Sequence, residues 1–82
     1  MTVSNGTEKL ILEIFISNSS TYIRLLLNNT STTTLDDPDG ILRTSDSGVG
    51  IAVYNDSGKM SIKNRLGQTR NISFWVGKII KF

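Results

Sequence analysis

Apolar and polar residues alternate along most of this chain, which is the pattern of β-strands that bury one face. Two such stretches, residues 9–17 and 21–28, are separated by the short polar link Asn18-Ser19-Ser20, which predicts a hairpin. The predicted core rows of the two strands are Leu10, Leu12, Ile14, Ile16, Ile23, Leu25 and Leu27.

Turn signals divide the rest of the chain into short strands. In residues 36–40, Pro38 fixes one torsion and Gly40 accepts a positive one, so a turn is predicted there. The stretch 29–34 is polar but compatible with β-structure, and we leave it open between an edge strand and a loop. The remaining predicted strands are 41–44, 49–54, 59–64 and 71–82, with a hairpin turn at 55–58.

No segment has a helical period, and turn signals recur about every 8–12 residues, as in sandwiches and small barrels. The sequence therefore predicts one all-β domain over residues 1–82. We expect an antiparallel β-sandwich or small barrel of about six strands joined by hairpins. Gly77, inside the last strand, predicts a bulge or a close approach.

Composition limits how so small a domain can be stabilised. A chain of 82 residues buries only about 60–65% of its unfolded surface, and small folds therefore add disulfides, metals or oligomerisation. The chain has no cysteine and no histidine, which excludes disulfides and removes the usual zinc ligands and the usual general base. Oligomerisation is therefore the remaining way in which so small a domain could gain stability.

Candidate catalytic and metal-binding motifs are weak. Asp37-Pro38-Asp39-Gly40 is similar to a fragment of a calcium loop, but the ordered acids and closing glutamate are missing, so we favour a turn. No nucleophile–base set, phosphate-binding glycine loop or pair of carboxylates across a cleft is evident. We expect a protein that is not an enzyme and that has no metal and no cofactor.

The second faces of the strands carry more apolar residues than a domain of two layers needs. Aromatic side chains among them are typical of interfaces, because they bury much area and keep a polar tip. We predict a contact between subunits there, unless loop 29–40 or the bending of a small barrel covers them. The second-face apolar residues are Ile11, Phe15, Tyr22, Leu26, Trp75 and Ile79.

Charge is segregated along the sequence. Residues 35–58 contain five aspartates and only Arg43 as a base, whereas residues 59–82 contain six basic residues and no acid. The segregation can reflect turn and edge preferences, contacts between the acidic region of one subunit and the basic region of another, or a phosphate-facing patch. Lys63 and Arg65, which share a strand face, are the candidate basic interface residues.

Residues 47–62, with Gly48-Val49-Gly50-Ile51 followed by the turn Asn55-Asp56-Ser57-Gly58, resemble the late hairpin of chaperone–usher pilin domains. The resemblance covers sixteen residues, and the chain lacks the pilin disulfide, so pilin function is not carried over. In its Ser/Thr/Asn-rich, cysteine-free style the chain is also similar to small β-structured proteins of phage and virus particles.

These observations predict a non-enzymatic structural or assembly protein of a virion or similar particle, such as a decoration, fibre or tail component. Its partners would be itself or other structural subunits. It would be made in the cytoplasm without a signal peptide or membrane span, because residues 1–6 lack a leader pattern and the apolar stretches are short.

Two alternatives stay open. One is a module that binds glycans or a host surface, with Trp75 and Tyr22 stacking on sugars and residues 30–39 bonding hydroxyls. The other, which we favour less, is a small protein that binds single-stranded nucleic acid through Lys63 and Arg65.

Overall fold

The computed structural model describes residues 1–17 and 19–78, and within the last strand it describes only the backbone of Phe74, Val76 and Lys78. The predictions made for Asn18 and for residues 79–82, including Ile79 and Lys81, fall outside the described residues.

Eight β-strands and no helix make up the described part of the chain. The sequence predicts about six strands. The additional ones are β1, which is too short to show alternation, and β4, in the stretch left open between an edge strand and a loop. The strands are β1 Thr2–Ser4, β2 Lys9–Ile16, β3 Tyr22–Asn28, β4 Ser31–Asp36, β5 Leu42–Arg43, β6 Gly50–Asp56, β7 Lys59–Arg65 and β8 Ile72–Lys78.

The strands form two sheets of four. Sheet I has the order β1-β7-β6-β5, and sheet II has the order β4-β3-β2-β8. Neighbouring strands are antiparallel except β5 and β6, which pair in parallel over two residues. Among the described residues neither sheet closes on itself into a barrel.

One hydrophobic core contains residues of both sheets. Each member of the two predicted core rows is buried, and Leu12, Leu25 and Leu27 are completely inaccessible. The alternation predicted for β2 and β3 is therefore confirmed. Sheet I contributes the core residues Leu42, Ile51, Val53, Met60 and Ile62.

Two turns have the geometry that their residues predict. In the β6–β7 hairpin, Ser57 and Gly58 both have positive φ, of 55° and 89°, as a two-residue type I′ turn requires. At the turn of residues 37–40, the Gly40 amide donates to the Asp37 carbonyl oxygen at 3.1 Å. The Asp37 carboxylate then accepts hydrogen bonds from the amides of Ile41 and Leu42.

Candidate interface

The predicted second-face residues of β2, β3 and β8 lie together on the outer face of sheet II. Ile11 is directly opposite Leu26, and Phe15 is directly opposite Tyr22, across the β2–β3 pair. The strand neighbours of Ile11, Phe15, Tyr22 and Leu26 are buried in the core, so these four side chains point away from it. Trp75 is directly opposite Glu13 of β2 and therefore lies on the same outer face. We call this group the apolar patch, and its members are Ile11, Phe15, Tyr22, Leu26 and Trp75.

A single copy leaves the apolar patch in contact with solvent. Trp75 is 56% exposed and Phe15 is 43% exposed, whereas Ile11, Tyr22 and Leu26 are half-buried. The alternative in which residues 29–40 cover this face is not what the structure shows, because Ser31–Asp36 forms the edge strand β4 of the same sheet.

Gly77 lets the indole of Trp75 lie against the sheet. A Cβ at position 77 would stand 2.2 Å from Cη2 and 2.5 Å from Cζ3 of Trp75, so the ring occupies the space above that glycine. The β2–β8 register continues through Gly77 without a shift. Of the two predictions for Gly77, the close approach is therefore confirmed and the bulge is absent.

Charged groups cross the middle of the same face. Arg24 Nε lies 3.6 Å from Glu13 Oε2, and Glu13 is flanked on its other side by Trp75 of β8. At the β4 side, Tyr22 Oη donates to Asp36 Oδ2 at 2.5 Å. This hydrogen bond, together with the carboxylate charge, raises the pKa of Tyr22 above its ordinary value of 10.0.

Lys63 and Arg65 do not join the apolar patch. Both lie on β7, on the face of sheet I that points away from the core. Within the same chain Arg65 binds Asp46 at 2.7 Å and Lys63 binds it at 3.4 Å. Partial burial by itself would raise the pKa of Asp46, but the hydrogen bonds from Arg65 and Lys63 outweigh it and lower that pKa. Asp46 thus makes its contacts with these two basic residues inside one subunit. Contact between subunits was one of the three explanations considered for the charge segregation.

The described residues offer little to a small ligand. No pocket opens on their surface, and no three acidic side chains among them converge as metal ligands would. Asp37, in the segment similar to a calcium loop, uses both carboxylate oxygens on backbone amides. The candidate functional surface of this molecule is therefore the broad, open outer face of sheet II.

Sequence reasoning found the apolar members of this face but missed its charged centre. Glu13 and Arg24 are opposite each other in a predicted hairpin, so counting back from the turn could have paired them. The position of Trp75 beside Glu13 depends on β8 pairing with β2, which no local signal specifies.

The part of the chain that the structure describes contains no helix, and hence none long and apolar enough to cross a bilayer. Comparison of the chain with protein-family models, curated proteins and solved structures finds no match.

Proposed function

We propose that this chain is a small open β-sandwich that serves as a non-enzymatic assembly protein, with a second copy as its partner. The observation that carries the proposal is the apolar patch, in which Trp75 and Phe15 stay largely exposed in one copy. Apolar and aromatic side chains that stay exposed together on one face mark protein contacts on soluble domains. Aromatic residues are also the side chains that contribute most to such contacts.

The charges of the face favour a second copy as the occupant. A two-fold axis between β2 and β3, parallel to both, would place Arg24 of each copy over Glu13 of the other. The contact between Arg24 and Glu13 would thus form twice, once in each direction, because a two-fold axis makes an interface self-complementary. An unrelated apolar partner would instead desolvate the Glu13–Arg24 pair without adding a second contact to either charge, which is costly.

The same rotation matches the apolar residues. Leu26 would lie over Ile11 of the second copy, and Phe15 would lie over Tyr22. Two sheets packed in this way sit about 10 Å apart with their strands roughly aligned, which is the usual geometry of stacked sheets. The Ile11–Leu26 and Phe15–Tyr22 contacts would then be apolar on both sides. Trp75, level with Glu13 on β8, would lie over Asp36 on β4 of the second copy.

The size of the face sets the expected strength of the contact. Four strands about 4.8 Å apart and seven residues long at about 3.3 Å each give a face of roughly 440 Å². Two such faces bury about 900 Å² in total, which is below the size of a stable interface and fits a weak or transient one. We therefore expect a reversible dimer with a dissociation constant on the order of micromolar to hundreds of micromolar.

Sedimentation or light scattering between about 1 and 500 μM tests the assembly role. The apparent mass of the wild-type chain is expected to rise with concentration from 9.0 kDa toward twice that value. Phe15→Lys is expected to raise the dissociation constant at least about tenfold, because it places an unpaired charge in the contact. Phe15 is 43% exposed in one copy, so the fold tolerates the change.

Val49→Lys is the matched control, because Val49 is 68% exposed and lies outside the apolar patch. It replaces an exposed apolar residue by the same charge and is expected to leave the association unchanged. A wild-type chain that stays monomeric throughout this range would overturn the proposal, and so would equal effects of the two variants.

The proposed setting is a virion or similar particle. It is supported by the Ser/Thr/Asn-rich composition, 26 of 82 residues, and by the reliance on association in a chain without cysteine. Genes for capsid or tail proteins next to the gene for this chain would support the setting. A neighbourhood of unrelated metabolic genes would count against it.

The placement of Trp75 favours a second candidate function, the binding of a surface glycan. Its indole lies over Gly77 with more than half of its surface exposed, as a ring that stacks on sugars would. Under this alternative, a glycan array would show binding by the monomer, and Trp75→Ala would abolish it. Under the assembly proposal, no glycan is bound by the monomer.

A further inference from the structure

Strand β8 ends sheet II with an edge that carries no described neighbour. It pairs with β2 over all seven of its residues, from Ile72 to Lys78, without a register shift. Among the described strands none lies along its other side. An edge of this kind offers a row of backbone donors and acceptors to another strand.

The other three sheet edges are short or irregular. Strand β1 has three residues and a register shift, and β5 has only two residues. In the β3–β4 pair the register shifts between Arg24 and Leu25 of β3, which leaves Leu35 of β4 as an extra residue. Such features discourage pairing with another chain. Strand β8 lacks them, and its single charged residue, Lys78, stands at its end.

The hydrogen bonds of β2 show which backbone groups of β8 face the free edge. The Ser17 amide donates to the Asn71 carbonyl oxygen at 2.8 Å, whereas the Ile16 amide donates toward β3, to Thr21. Because bonding alternates along an antiparallel pair, the odd-numbered residues of β8 bond to β2. The amides and carbonyls of its even-numbered residues therefore point outward, and these residues are Ile72, Phe74, Val76 and Lys78.

We propose that β8 of one copy pairs antiparallel with β8 of a second copy, with Trp75 opposite Trp75 at the two-fold axis. The outward amides and carbonyls of the two β8 strands can bond to each other only in registers that place even-numbered residues opposite even-numbered residues. Among such registers, the one centred on Trp75 matches all seven residues and forms about eight backbone hydrogen bonds. Shifted registers leave residues at both ends unpaired.

The placement of the Trp75 side chain is compatible with this pairing. Its ring stands over Gly77 of its own strand, so it does not project across the edge. The two Trp75 residues would form a non-hydrogen-bonded pair with Cα atoms about 4.5 Å apart. Sheet II would continue through both copies as one sheet of eight strands, four from each copy.

This inference rests on the proposed assembly role and adds a second contact to it. The edge pairing uses the backbone of β8, whereas the face contact uses side chains of the apolar patch. Both can be occupied at once, since one lies in the plane of the sheet and the other lies above it. A subunit with two separate self-contacts can extend into an array, which is what a particle component requires.

Amide hydrogen exchange on the wild-type chain, followed by NMR, tests the pairing. The amides of Phe74 and Val76 point to the free edge, and the Trp75 amide points to β2 and serves as the internal control. When concentration is raised until the chain associates, protection of the Phe74 and Val76 amides from exchange is expected to increase at least about tenfold.

If these two amides stay unprotected in a sample that has associated, the edge pairing is wrong and the assembly role stands. A chain that never associates overturns both.

Cysteine cross-linking tests the register, because the chain has no native cysteine. Trp75→Cys places two sulfurs opposite each other at the axis, at a spacing a disulfide can bridge. Ser73→Cys is the matched control, since its two copies would stand about 13 Å apart along the strands. We expect Trp75→Cys to form covalent dimers at least about tenfold faster. Equal rates, or faster linkage through Ser73→Cys, would overturn the centred register.

Discussion

Gly6→Ala is expected to destabilise the chain far more than the same change at Gly67. Both glycines have a positive φ, +84° for Gly6 and +82° for Gly67, so alanine has the same backbone cost of about 1–2 kcal/mol at each. Only Gly6 is enclosed. A Cβ there would lie far inside contact distance of the Gly58 carbonyl oxygen, whereas a Cβ at Gly67 meets nothing within 4 Å.

The position of Gly6 explains why the clash cannot be relieved cheaply. It lies in the connection between β1 of sheet I and β2 of sheet II, against the turn of the β6–β7 hairpin. The nearest side-chain atom, Thr30 Cγ2, belongs to the β3–β4 turn. To admit a methyl group, backbone must move at a point where both sheets meet. We expect an additional cost of about 1–3 kcal/mol, as for other overpacked sites.

Thermal unfolding of the two variants measures this difference. A domain of this size loses about 4–8 °C in Tm per kcal/mol, so Gly6→Ala is expected to melt roughly 5–25 °C below Gly67→Ala. A total stability of about 4–12 kcal/mol makes such a loss serious. Equal melting temperatures would show that the connection does not pass as close to the hairpin as the structure has it.

Local sequence signals predicted the elements that have strong alternation or specific turn residues. The β2–β3 and β6–β7 hairpins follow from apolar rows of period two around Asn/Ser and Ser-Gly turns. Strand β4 could not be distinguished from a loop, because threonine fits an edge strand and a polar loop equally well. Strand β1 has three residues, too few for any period to appear.

Long-range pairing is what the sequence did not reveal. The apolar patch was predictable strand by strand, since alternation alone assigns Phe15, Tyr22 and Leu26 to the faces opposite the core rows. The neighbours of Glu13 depend on how sheet II is ordered, and no local pattern states that β8 lies beside β2. The same holds for Asp46, which binds Arg65 across a separation of 19 residues.

Leu12→Ala and Ile11→Ala, one residue apart on β2, are expected to separate folding from assembly. Leu12 is completely buried in the core, so its truncation leaves a cavity and costs about 2–5 kcal/mol. Ile11 is half-buried on the outer face, opposite Leu26, and its truncation costs only about 1 kcal/mol in one copy. The core variant should therefore melt far below the face variant.

The two variants should rank in the opposite order in association, measured where each is still folded. Ile11 lies in the middle of the proposed contact, so Ile11→Ala removes apolar area from both copies and should raise the dissociation constant roughly tenfold. Leu12 has no exposed surface, so Leu12→Ala should leave the dissociation constant of the folded molecules unchanged. Stability has to be compared below the dissociation constant, because association itself stabilises the folded chain. If Ile11→Ala proves as destabilising as Leu12→Ala in dilute monomer and has no effect on association, the outer face is a second core and not an interface.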